Sequence, residues 1–426
     1  MIAFFIPIIV ILSLWIVNIR RKQFFCCVSN FTFLYLFLVF SCVPFLYQRP
    51  RSGFPFLNVE AVLFLTFMYV LQVLPLLVMK DTPKDGFPDY SSHRIRFLCT
   101  ALIVLTVPSS IYYSFDLMNL LKFVNSEITR EIFREDIDRA IMGNPVAMLF
   151  AFGMIFSKCS LFMGLYTFLF SKDSKLRSAL LIFGGLSPAI RGLSWLARSV
   201  LWENAMFILV MLIVFYPCLP PAGRKRIKNV FIALGVASVP FFALSYARFK
   251  NDVIYQIFAY FAEGPYFFGI LYTAICSCGI PLFNGAMNIP LFCKLFCFFS
   301  GGHFEAYDPN WKVEYLYVFL NLADSWSGEF PTIVGGFLLD FGRATVTIAF
   351  ILLSILFTIF FRNEQSSSIS HAFVKCFYAH LIITGTIGFF YPETPGNLEL
   401  IIMGCFYFVL KKLPFSRMED NEKTPQ

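Results

Sequence analysis

The stretch ATVTIAFILLSILFTIFF (344–361) has no charged side chain and ends at Arg362. About 20 mainly apolar residues are needed for a helix to cross the hydrocarbon core of a membrane. Together with the residues from 333 onward, this stretch is long enough. Similar apolar stretches recur, so that eleven spans are predicted near residues 2–19, 24–46, 58–79, 97–115, 145–170, 178–197, 200–218, 229–246, 333–361, 371–390 and 397–411. The sequence therefore predicts an all-α polytopic membrane protein.

The composition excludes an ordinary soluble protein. Of the 426 residues, 58% are hydrophobic and only 14% are charged, whereas a typical globular domain is about 25% charged. Disorder, collagen and coiled coil are excluded for the same reason. The net charge of +8 is concentrated in short loops between apolar stretches and does not indicate nucleic-acid binding. The cysteines lie mostly in apolar stretches, where a free thiol behaves as a small hydrophobic group.

The distribution of basic residues predicts the orientation. If the N-terminus lies outside, more than half of the lysines and arginines fall in cytoplasmic loops. Cytoplasmic loops of membrane proteins carry an excess of these residues. An N-terminus outside and a C-terminus in the cytoplasm are therefore expected, which agrees with an odd number of spans.

The predicted organisation has six segments, two of which are long external ones. The segments are 1–115 with spans 1–4, 116–144 as an external amphipathic segment, 145–246 with spans 5–8, 247–332 as a long external loop, 333–411 with spans 9–11, and 412–426 as a cytoplasmic tail. The long loop mixes apolar residues with Pro and Gly, so we expect short helices at the membrane surface there. Long structured loops are commonly functional.

The first basic cluster is SPAIRGLSWLARSVLWEN (187–204). Arg191 and Arg198 are seven residues apart, so on one continuous helix they would share a face. A pair of guanidinium groups matches the oxygens of a diphosphate. The alternative is that both arginines reach the lipid headgroups and stack on Trp195 and Trp202.

Two further arginines follow or begin predicted spans. Arg248 emerges at the start of the long external loop, where it can bind a phosphate or pair with Asp252 four residues later. Asp340 and Arg343 lie three residues apart at the start of the ninth span. That spacing predicts an ion pair, and a pair facing a cavity can also position a substrate.

The long external loop supplies the candidates for a general base. A base must accept a hydroxyl proton near neutral pH, which suits histidine or a desolvated carboxylate. The candidates are Glu263, His303, Glu305, Asp308, Asp324 and Glu329. The first external loop has no pair of carboxylates and no Gly-rich phosphate loop is present, so chemistry without a metal or ATP hydrolysis is expected.

The order of these features resembles one enzyme family. The first features are an Arg-Gly pair that begins a span (Arg191-Gly192) and an arginine shortly after another span (Arg248). A Tyr-Phe…Gly-Pro run (Tyr260, Phe261, Gly264, Pro265), a long external loop, and Asp340-Phe341-Gly342 at the opening of a late span follow. In this order the chain is similar to the oligosaccharide repeat-unit (O-antigen) polymerases. The motif resemblance extends over about residues 176–360, and the topological resemblance over the whole chain.

The resemblance implies a GT-C-like fold and glycosyl transfer without a cofactor at the outer face of the bacterial cytoplasmic (inner) membrane. The donor and the acceptor would be glycans on undecaprenyl diphosphate, with membrane lipid, a chain-length regulator and a flippase as further partners. The implied roles are catalysis for Glu263, His303 and Asp340, diphosphate binding for Arg191, Arg198, Arg248 and Arg343, and sugar binding for Tyr260, Trp311 and Trp326.

Three other functions remain open at the level of sequence. A flippase or other transporter would also be polytopic, although the absence of an internal repeat and the long external loop argue against it. An O-antigen ligase shares the topology and the chemistry of a polymerase. A membrane acyltransferase would need a histidine in a polar cavity, and within the spans only His380 qualifies.

Overall fold

The computed structural model describes twelve segments of the chain and three isolated residues. They are residues 5–21, 28–47, 58–80, 93–123, 145–170, 175–194, 198–249, 253–278, 288–300, 332–363, 368–387 and 393–413, with Ala3, Leu282 and Gly285. The described residues are helical almost throughout and contain no strand. The prediction of an all-α protein is therefore confirmed for this part of the chain.

Several helices are long and apolar enough to cross a membrane. Among the described residues, four helices meet this condition: Val59–Val78, His93–Met118, Val200–Cys218 and Ile333–Arg362. A fifth span is added if the two helices Pro145–Met154 and Ser157–Phe170, which meet at a bend of 48°, count as one. Four shorter apolar helices are also present, at Phe5–Arg20, Val28–Pro44, Pro290–Ser300 and Ile369–Thr384. By length and composition, four or five helices could thus span a membrane.

The chain divides into two compact units, each built from separate stretches of sequence. Unit 1 contains residues 1–80, 245–364 and 378–398. Its helices are α1 (Phe5–Arg21), α2 (Val28–Tyr47) and α3 (Val59–Val78). Three more complete helices of unit 1 follow later in the sequence: α11 (Val253–Cys278), α12 (Pro290–Ser300) and α13 (Ile333–Arg362). Unit 1 also contains parts of two helices, namely residues 378–384 of α14 (Ile369–Thr384) and residues 393–398 of α15 (Glu393–Lys411).

Small residues and buried tyrosines hold unit 1 together. Gly264 of α11 packs directly on the backbone near the end of α14, where a Cβ atom would lie 2.0 Å from the carbonyl oxygen of Thr386. The hydroxyl of Tyr69 donates a hydrogen bond to the carbonyl of Gly385 at 3.3 Å. Its ring packs edge-on against Phe40 at 5.2 Å. Apolar helices in lipid pack through such close backbone contacts and interhelical hydrogen bonds.

Unit 2 contains residues 81–244, 365–377 and 399–426. Its helices are α4 (His93–Phe123), α5 (Pro145–Met154), α6 (Ser157–Phe170), α7 (Lys175–Gly185), α8 (Ser187–Ser194) and α9 (Arg198–Phe215). A short 3₁₀ turn (Tyr216–Cys218) leads into α10 (Pro221–Phe249), whose last turn belongs to unit 1. Residues 369–377 of α14 and 399–411 of α15 complete unit 2.

Helix α6 lies in the core of unit 2. It packs closely on α7, because a Cβ atom at Gly185 would lie 2.6 Å from the backbone nitrogen of Leu161. The adjacent Phe162 is fully buried. Its ring contacts the rings of Phe215, Phe373 and Phe406 at 5.4, 5.1 and 6.5 Å. Three other helices of the unit thus converge on α6.

The C-terminal half of α13 carries an apolar stripe. Ile348, Leu352 and Leu356 follow one another at intervals of four residues, and each is about 60% exposed (59%, 61% and 61%). Residues at this spacing lie on one face of a helix. A large exposed apolar surface marks contact with a partner or a membrane. The stripe fits a helix in contact with lipid.

The structure differs from the sequence-based expectation in two places. Within the long external loop, residues Val253–Cys278 form one helix of 26 residues where short helices were expected. Gly264 and Pro265 do not end it, because the glycine is required for close packing and proline is tolerated in apolar bundles. Residues 116–123 continue α4, so the part of the predicted amphipathic segment before 124 belongs to that helix. Residues 124–144 lie outside the described residues.

Candidate functional site

Helix α13 is broken within the Asp340-Phe341-Gly342 sequence. Gly342 has φ 70° and ψ 176°, which interrupts the helix and separates its beginning from the half that starts at Arg343. Essentially only glycine adopts this combination of angles. A Cβ atom at this position would also lie 3.0 Å from Leu282 Cδ1. The glycine therefore sets the direction in which the second half of α13 begins, and with it the position of Arg343.

Arg343 is held by an acidic side chain and two aromatic rings. Its Nη1 donates a hydrogen bond to Glu60 Oε1. The guanidinium carbon lies 5.4 Å from the centre of the Phe64 ring and 5.8 Å from that of Tyr272. Contacts of this kind with the face of a ring attract a cation. Glu60 thus holds one edge of the guanidinium by a hydrogen bond, and the two rings contact its charged centre.

The other edge of Arg343 is available to a ligand. The side chain is 52% exposed, and a guanidinium has five N–H donors. In the described part of the chain, the hydrogen bond to Glu60 is the only one that the guanidinium donates. Its remaining donors can bind an anion, and their fork geometry matches the oxygens of a phosphate or carboxylate.

Glu60 is positioned by the start of α3 and by α11. Its backbone N–H donates to the side chain of the N-cap residue Asn58 at 2.9 Å. Asn58 in turn donates to Thr273 Oγ1 at 3.0 Å. The hydroxyl of Tyr272 donates to Glu60 Oε1 at 2.9 Å. We call Glu60, Tyr272 and Arg343 the Arg343 site; α3, α11 and α13 each supply one of its members.

Asp340 lies on the other side of the helix break and has different partners. It is fully buried. Its Oδ2 accepts hydrogen bonds from the backbone N–H of Asn288 at 2.9 Å and from Asn288 Nδ2 at 2.7 Å. The expected ion pair between Asp340 and Arg343 is wrong for this reason, because the break at Gly342 removes the i, i+3 geometry of a continuous helix and Arg343 pairs with Glu60.

The Asp340 contacts belong to a larger polar network around the start of α12. Asn397 Nδ2 donates to the carbonyl oxygen of Asn288 at 2.8 Å. Asn397 Oδ1 accepts from the backbone N–H of Leu291 at 3.1 Å. Asn288 also donates to the carbonyl of Gly336 at 2.7 Å. Buried polar groups that are satisfied in this way fix local structure, so the geometry of Asp340 suits positioning of α12.

Arg191 and Arg198 do not lie on one continuous helix. Arg191 is in α8, which ends at Ser194, and Arg198 begins α9. The prediction of a shared helix face, which assumed one continuous helix, is therefore wrong, because the two arginines belong to different helices. The guanidinium carbon of Arg191 lies 5.5 Å from the centre of the Tyr113 ring. Both arginines belong to unit 2.

The remaining predicted site residues are only partly described. Glu263 is buried in α11, with 6% of its surface exposed. Arg198, Arg248 and Tyr260 lie within helices, but their side chains are outside the described part of the structure. His303, Glu305, Asp308, Trp311, Asp324, Trp326 and Glu329 lie outside the described residues. The roles predicted for these side chains stay predictions.

Unit 2 contains a second charged cluster that the sequence does not predict. Lys158 Nζ lies 2.5 Å from Glu203 Oε1 and 3.1 Å from Glu399 Oε1. The three side chains are 7%, 9% and 16% exposed. We call them the buried ion trio. Lys158 stands out in the sequence as a charge within an apolar stretch, but its two partners are 45 and 241 residues away.

The described residues offer no evident metal site. No group of three or more His, Cys, Asp or Glu side chains in this part of the chain is arranged to hold a metal ion. The polar groups that these residues do bring together are charged side chains and hydrogen-bond donors. Both the Arg343 site and the buried ion trio supply such groups.

Comparison with known proteins does not identify a relative. No protein-family model, no curated protein and no solved structure matches this chain. The assignment of function therefore depends on the residues and the geometry described above.

Proposed function

We propose that the chain is a polymerase that joins undecaprenyl-diphosphate-linked oligosaccharide repeat units into an O-antigen, capsular polysaccharide or exopolysaccharide. It works at the outer face of the bacterial cytoplasmic membrane, with eleven spans, an external N-terminus and a cytoplasmic C-terminus. The donor is a growing glycan on undecaprenyl diphosphate, and the acceptor is a single lipid-linked repeat unit. A chain-length regulator and a flippase are its partners.

The observation that carries this proposal is the state of Arg343. The guanidinium is half-exposed, it is oriented by Glu60 and two rings, and most of its donors have no partner in the described residues. An oriented arginine with free donors suits a diphosphate. In the proposed topology both α3 and α13 begin outside, so Glu60 and Arg343 are placed at the outer face.

The reaction requires little more than positioning and charge stabilisation. A hydroxyl oxygen of the acceptor sugar attacks the anomeric carbon of the donor and forms the new C–O bond. The bond between that carbon and the diphosphate oxygen breaks, and the diphosphate leaves with the electron pair. The hydroxyl proton passes to a base. Negative charge grows on the diphosphate in the transition state, where an arginine lowers the barrier selectively.

The other proposed residues have supporting roles. Arg248 belongs to unit 1 like Arg343 and is a second diphosphate ligand in this proposal. For Arg191 and Arg198 in unit 2, diphosphate binding stays a prediction. His303 and Glu263 are the candidates for the base. Asp340 is not among them, because its Oδ2 already accepts two hydrogen bonds from Asn288. Trp311, Trp326 and Tyr260 are candidates for stacking on sugar rings.

A transporter is the second candidate, and one feature of unit 2 favours it. The buried ion trio lies beside the 48° bend between α5 and α6. Broken helices and ionisable residues within the membrane are typical of transport proteins. A lipid-linked oligosaccharide flippase would use the same membrane-bound substrate.

The test is complementation of a strain that lacks the gene. Deletion is expected to leave surface glycan of a single repeat, and the wild-type chain restores long glycans in a gel ladder. Arg343→Ala is expected to leave the single-repeat product of the deletion strain unchanged at normal protein level. Arg343→Lys should restore short ladders, because it keeps the charge but not the two-pronged binding. Arg362→Ala, at the opposite end of the same helix, is the matched control and should restore wild-type ladders.

The outcomes separate the alternatives. Wild-type ladders from Arg343→Ala would remove the Arg343 site from the mechanism. Complete loss of surface glycan on deletion would favour the flippase. Long lipid-linked glycan that accumulates without transfer to a second lipid would favour an O-antigen ligase.

A further inference from the structure

Four helix ends of unit 2 carry exposed basic side chains. Three of these ends are helix starts, and the fourth is the end of α15. The exposed side chains are Arg94 and Arg96 on α4, Lys175 on α7, Arg224, Lys225 and Lys228 on α10, and Lys411 and Lys412 at the end of α15. We call these eight side chains the basic end of unit 2.

Contacts bring the starts of α4 and α7 and the end of α15 together. Arg177 in the first turn of α7 lies close enough to Cys99 in the second turn of α4 for an electrostatic interaction. The Nη1 atom of Arg94 donates a hydrogen bond to the carbonyl oxygen of Lys412 at 3.5 Å. Three of the four helix ends are therefore neighbours, although they are far apart in sequence.

The start of α10 reaches the same place through the end of α6. The hydroxyl of Ser178 in the first turn of α7 donates to Thr167 Oγ1 near the end of α6 at 2.9 Å. In the next turn of the chain, Arg226 Nη1 donates to the carbonyl oxygen of Phe168 at 2.6 Å. The end of α6 thus joins the start of α10 to the start of α7, and all four basic helix ends lie at one end of unit 2.

The excess of positive charge at this end is also a property of the sequence. The four stretches that contain these side chains and the residues beside them hold 14 basic and 7 acidic residues: 81–96, 171–177, 221–228 and 411–426. Even with every one of these acids paired, cations remain in excess. The first turns of α4, α7 and α10 contain no acid, although acidic side chains are favoured there by the helix dipole. An external anion would therefore stabilise this end.

The basic end borders an apolar surface. On each of three helices a side chain that is more than half exposed follows a cation within three residues: Phe97 after Arg96, Leu176 after Lys175, and Phe231 after Lys228. The guanidinium carbon of Arg224 also lies 5.9 Å from the centre of the exposed Tyr216 ring. Tyrosine and basic side chains beside apolar surface are typical of the level of the lipid headgroups. This position favours a phospholipid over a soluble acidic protein.

We propose that the basic end of unit 2 binds anionic phospholipids through their headgroup phosphates. Lysine and arginine side chains near a membrane surface are attracted to anionic lipids, and the fork of an arginine matches phosphate oxygens. Basic side chains from four separate helix ends would hold such lipids against unit 2. The proposal requires the apolar helices to lie in a membrane, but it does not depend on the glycosyl-transfer function.

Electron paramagnetic resonance of spin-labelled lipids tests the proposal, with the purified full-length protein in phosphatidylcholine nanodiscs. A lipid held by the protein moves more slowly than free lipid, so the spectrum gives the bound fraction. Labelled phosphatidylglycerol should bind about twofold to fivefold better than labelled phosphatidylcholine, the upper value being that of one cation near an anionic surface. Salt at 1 M should remove most of this preference, because the screening length falls from about 10 Å at 0.1 M to about 3 Å.

Variants locate the binding surface. The triple variant Arg224→Gln, Lys225→Gln and Lys228→Gln should lose most of the preference, and Lys411→Gln with Lys412→Gln should also lower it. The matched control removes three exposed cations from separate helices of unit 1 and should keep the preference: Arg20→Gln, Lys294→Gln and Arg362→Gln. Thermal midpoints near the wild-type value show that each variant is folded.

Three results would overturn the proposal. Equal binding of the two labelled lipids by the wild type would show that the basic end does not select anionic lipid. An equal loss of preference in the control and in the α10 variant would assign the effect to net charge alone. A wild type that binds soluble poly-glutamate but shows no lipid preference would assign the basic end to an acidic protein partner.

Discussion

The two charged clusters differ in how far their side chains are exposed at the surface of the structure. In unit 1, Arg343 and Glu60 are 52% and 58% exposed. In unit 2, the members of the buried ion trio are 7%, 9% and 16% exposed. Both clusters join side chains that are far apart in sequence. They differ in what happens to each charge when its partner is removed.

The difference shows which cluster is available for a ligand. An exposed ion pair contributes little to stability, because water solvates each ion almost as well as its partner does. Arg343 can therefore change partners readily. A buried charge without its partner is strongly destabilising, so Lys158 is committed to its carboxylates. The exposed cluster is therefore the one that suits binding of an anionic substrate.

The largest effect is expected from Lys158→Met. Removal of the cation takes from Glu203 and Glu399 the buried ammonium group that they share, which should lower the free energy of unfolding by about 3–5 kcal/mol. Thermal unfolding in detergent measures the change. Arg343→Met is the matched control, because it removes a cation from the exposed pair and should leave the midpoint near the wild-type value. Equal midpoints for the two variants would contradict the contrast between the clusters.

Gly342→Ala should have the next largest effect. An alanine at φ 70° and ψ 176° is strained by about 1–3 kcal/mol, and its methyl group would contact Leu282. The variant should lose stability and also long glycan chains, since the break sets the direction of Arg343. Gly404→Ala is the control, because a Cβ atom there has no neighbour within 4 Å. If Gly342→Ala matched Gly404→Ala in both stability and glycan length, the break would not be needed to position Arg343.

Glu60→Ala should affect activity more than stability. Without the carboxylate, Arg343 keeps only its contacts with the two rings, and glycan polymerisation should fall by roughly tenfold. Polymerisation by Glu60→Gln should fall by less, because an amide oxygen still accepts the hydrogen bond from Arg343. Quantified glycan ladders at matched protein level measure both. A greater loss for Glu60→Gln than for Glu60→Ala would indicate that Glu60 acts on the substrate directly.

The smallest effect is expected from Tyr272→Phe. The change removes one hydrogen bond to Glu60 but keeps the ring beside Arg343. Polymerisation should fall by about twofold to threefold, the value for one exposed hydrogen bond. Polymerisation should fall further in Tyr272→Leu, because this change removes the ring as well as the hydroxyl. Similar activity of both variants would mean that the ring does not hold the guanidinium.

The helical class of this protein could be predicted from local sequence. Apolar stretches of sufficient length, such as Val59–Val78 and Ile333–Arg362, form helices long enough to span a membrane, because a helix satisfies its backbone hydrogen bonds within one segment. The boundary between α7 and α8 was also predictable from local sequence, since Pro188 is the second residue of α8 and proline favours the first turn of a helix. The length of α11 was not, because its Gly264 and Pro265 are signals for a break that close packing overrides.

The two clusters could not be predicted from local sequence. Lys158 and Arg343 are evident as charges in apolar surroundings, but spacing does not reveal partners 241 and 283 residues away. The prediction for Arg343 took the nearest acid, Asp340, as its partner. It failed because a single glycine changed the backbone direction between them. Only the folded chain places Glu60 and Tyr272 beside the guanidinium.

The polar network around Asn288 constrains the order of biosynthesis. All of its partners, Gly336, Asp340 and Asn397, come later in the chain, the last of them 109 residues further on. At roughly 5–20 residues per second of translation, the ribosome needs on the order of 5–20 s more before Asn397 has been made. Until then, of these three partners only Gly336 and Asp340 can hold the segment that leads into α12. A chain that stalls before residue 397 would expose this segment to quality-control proteases.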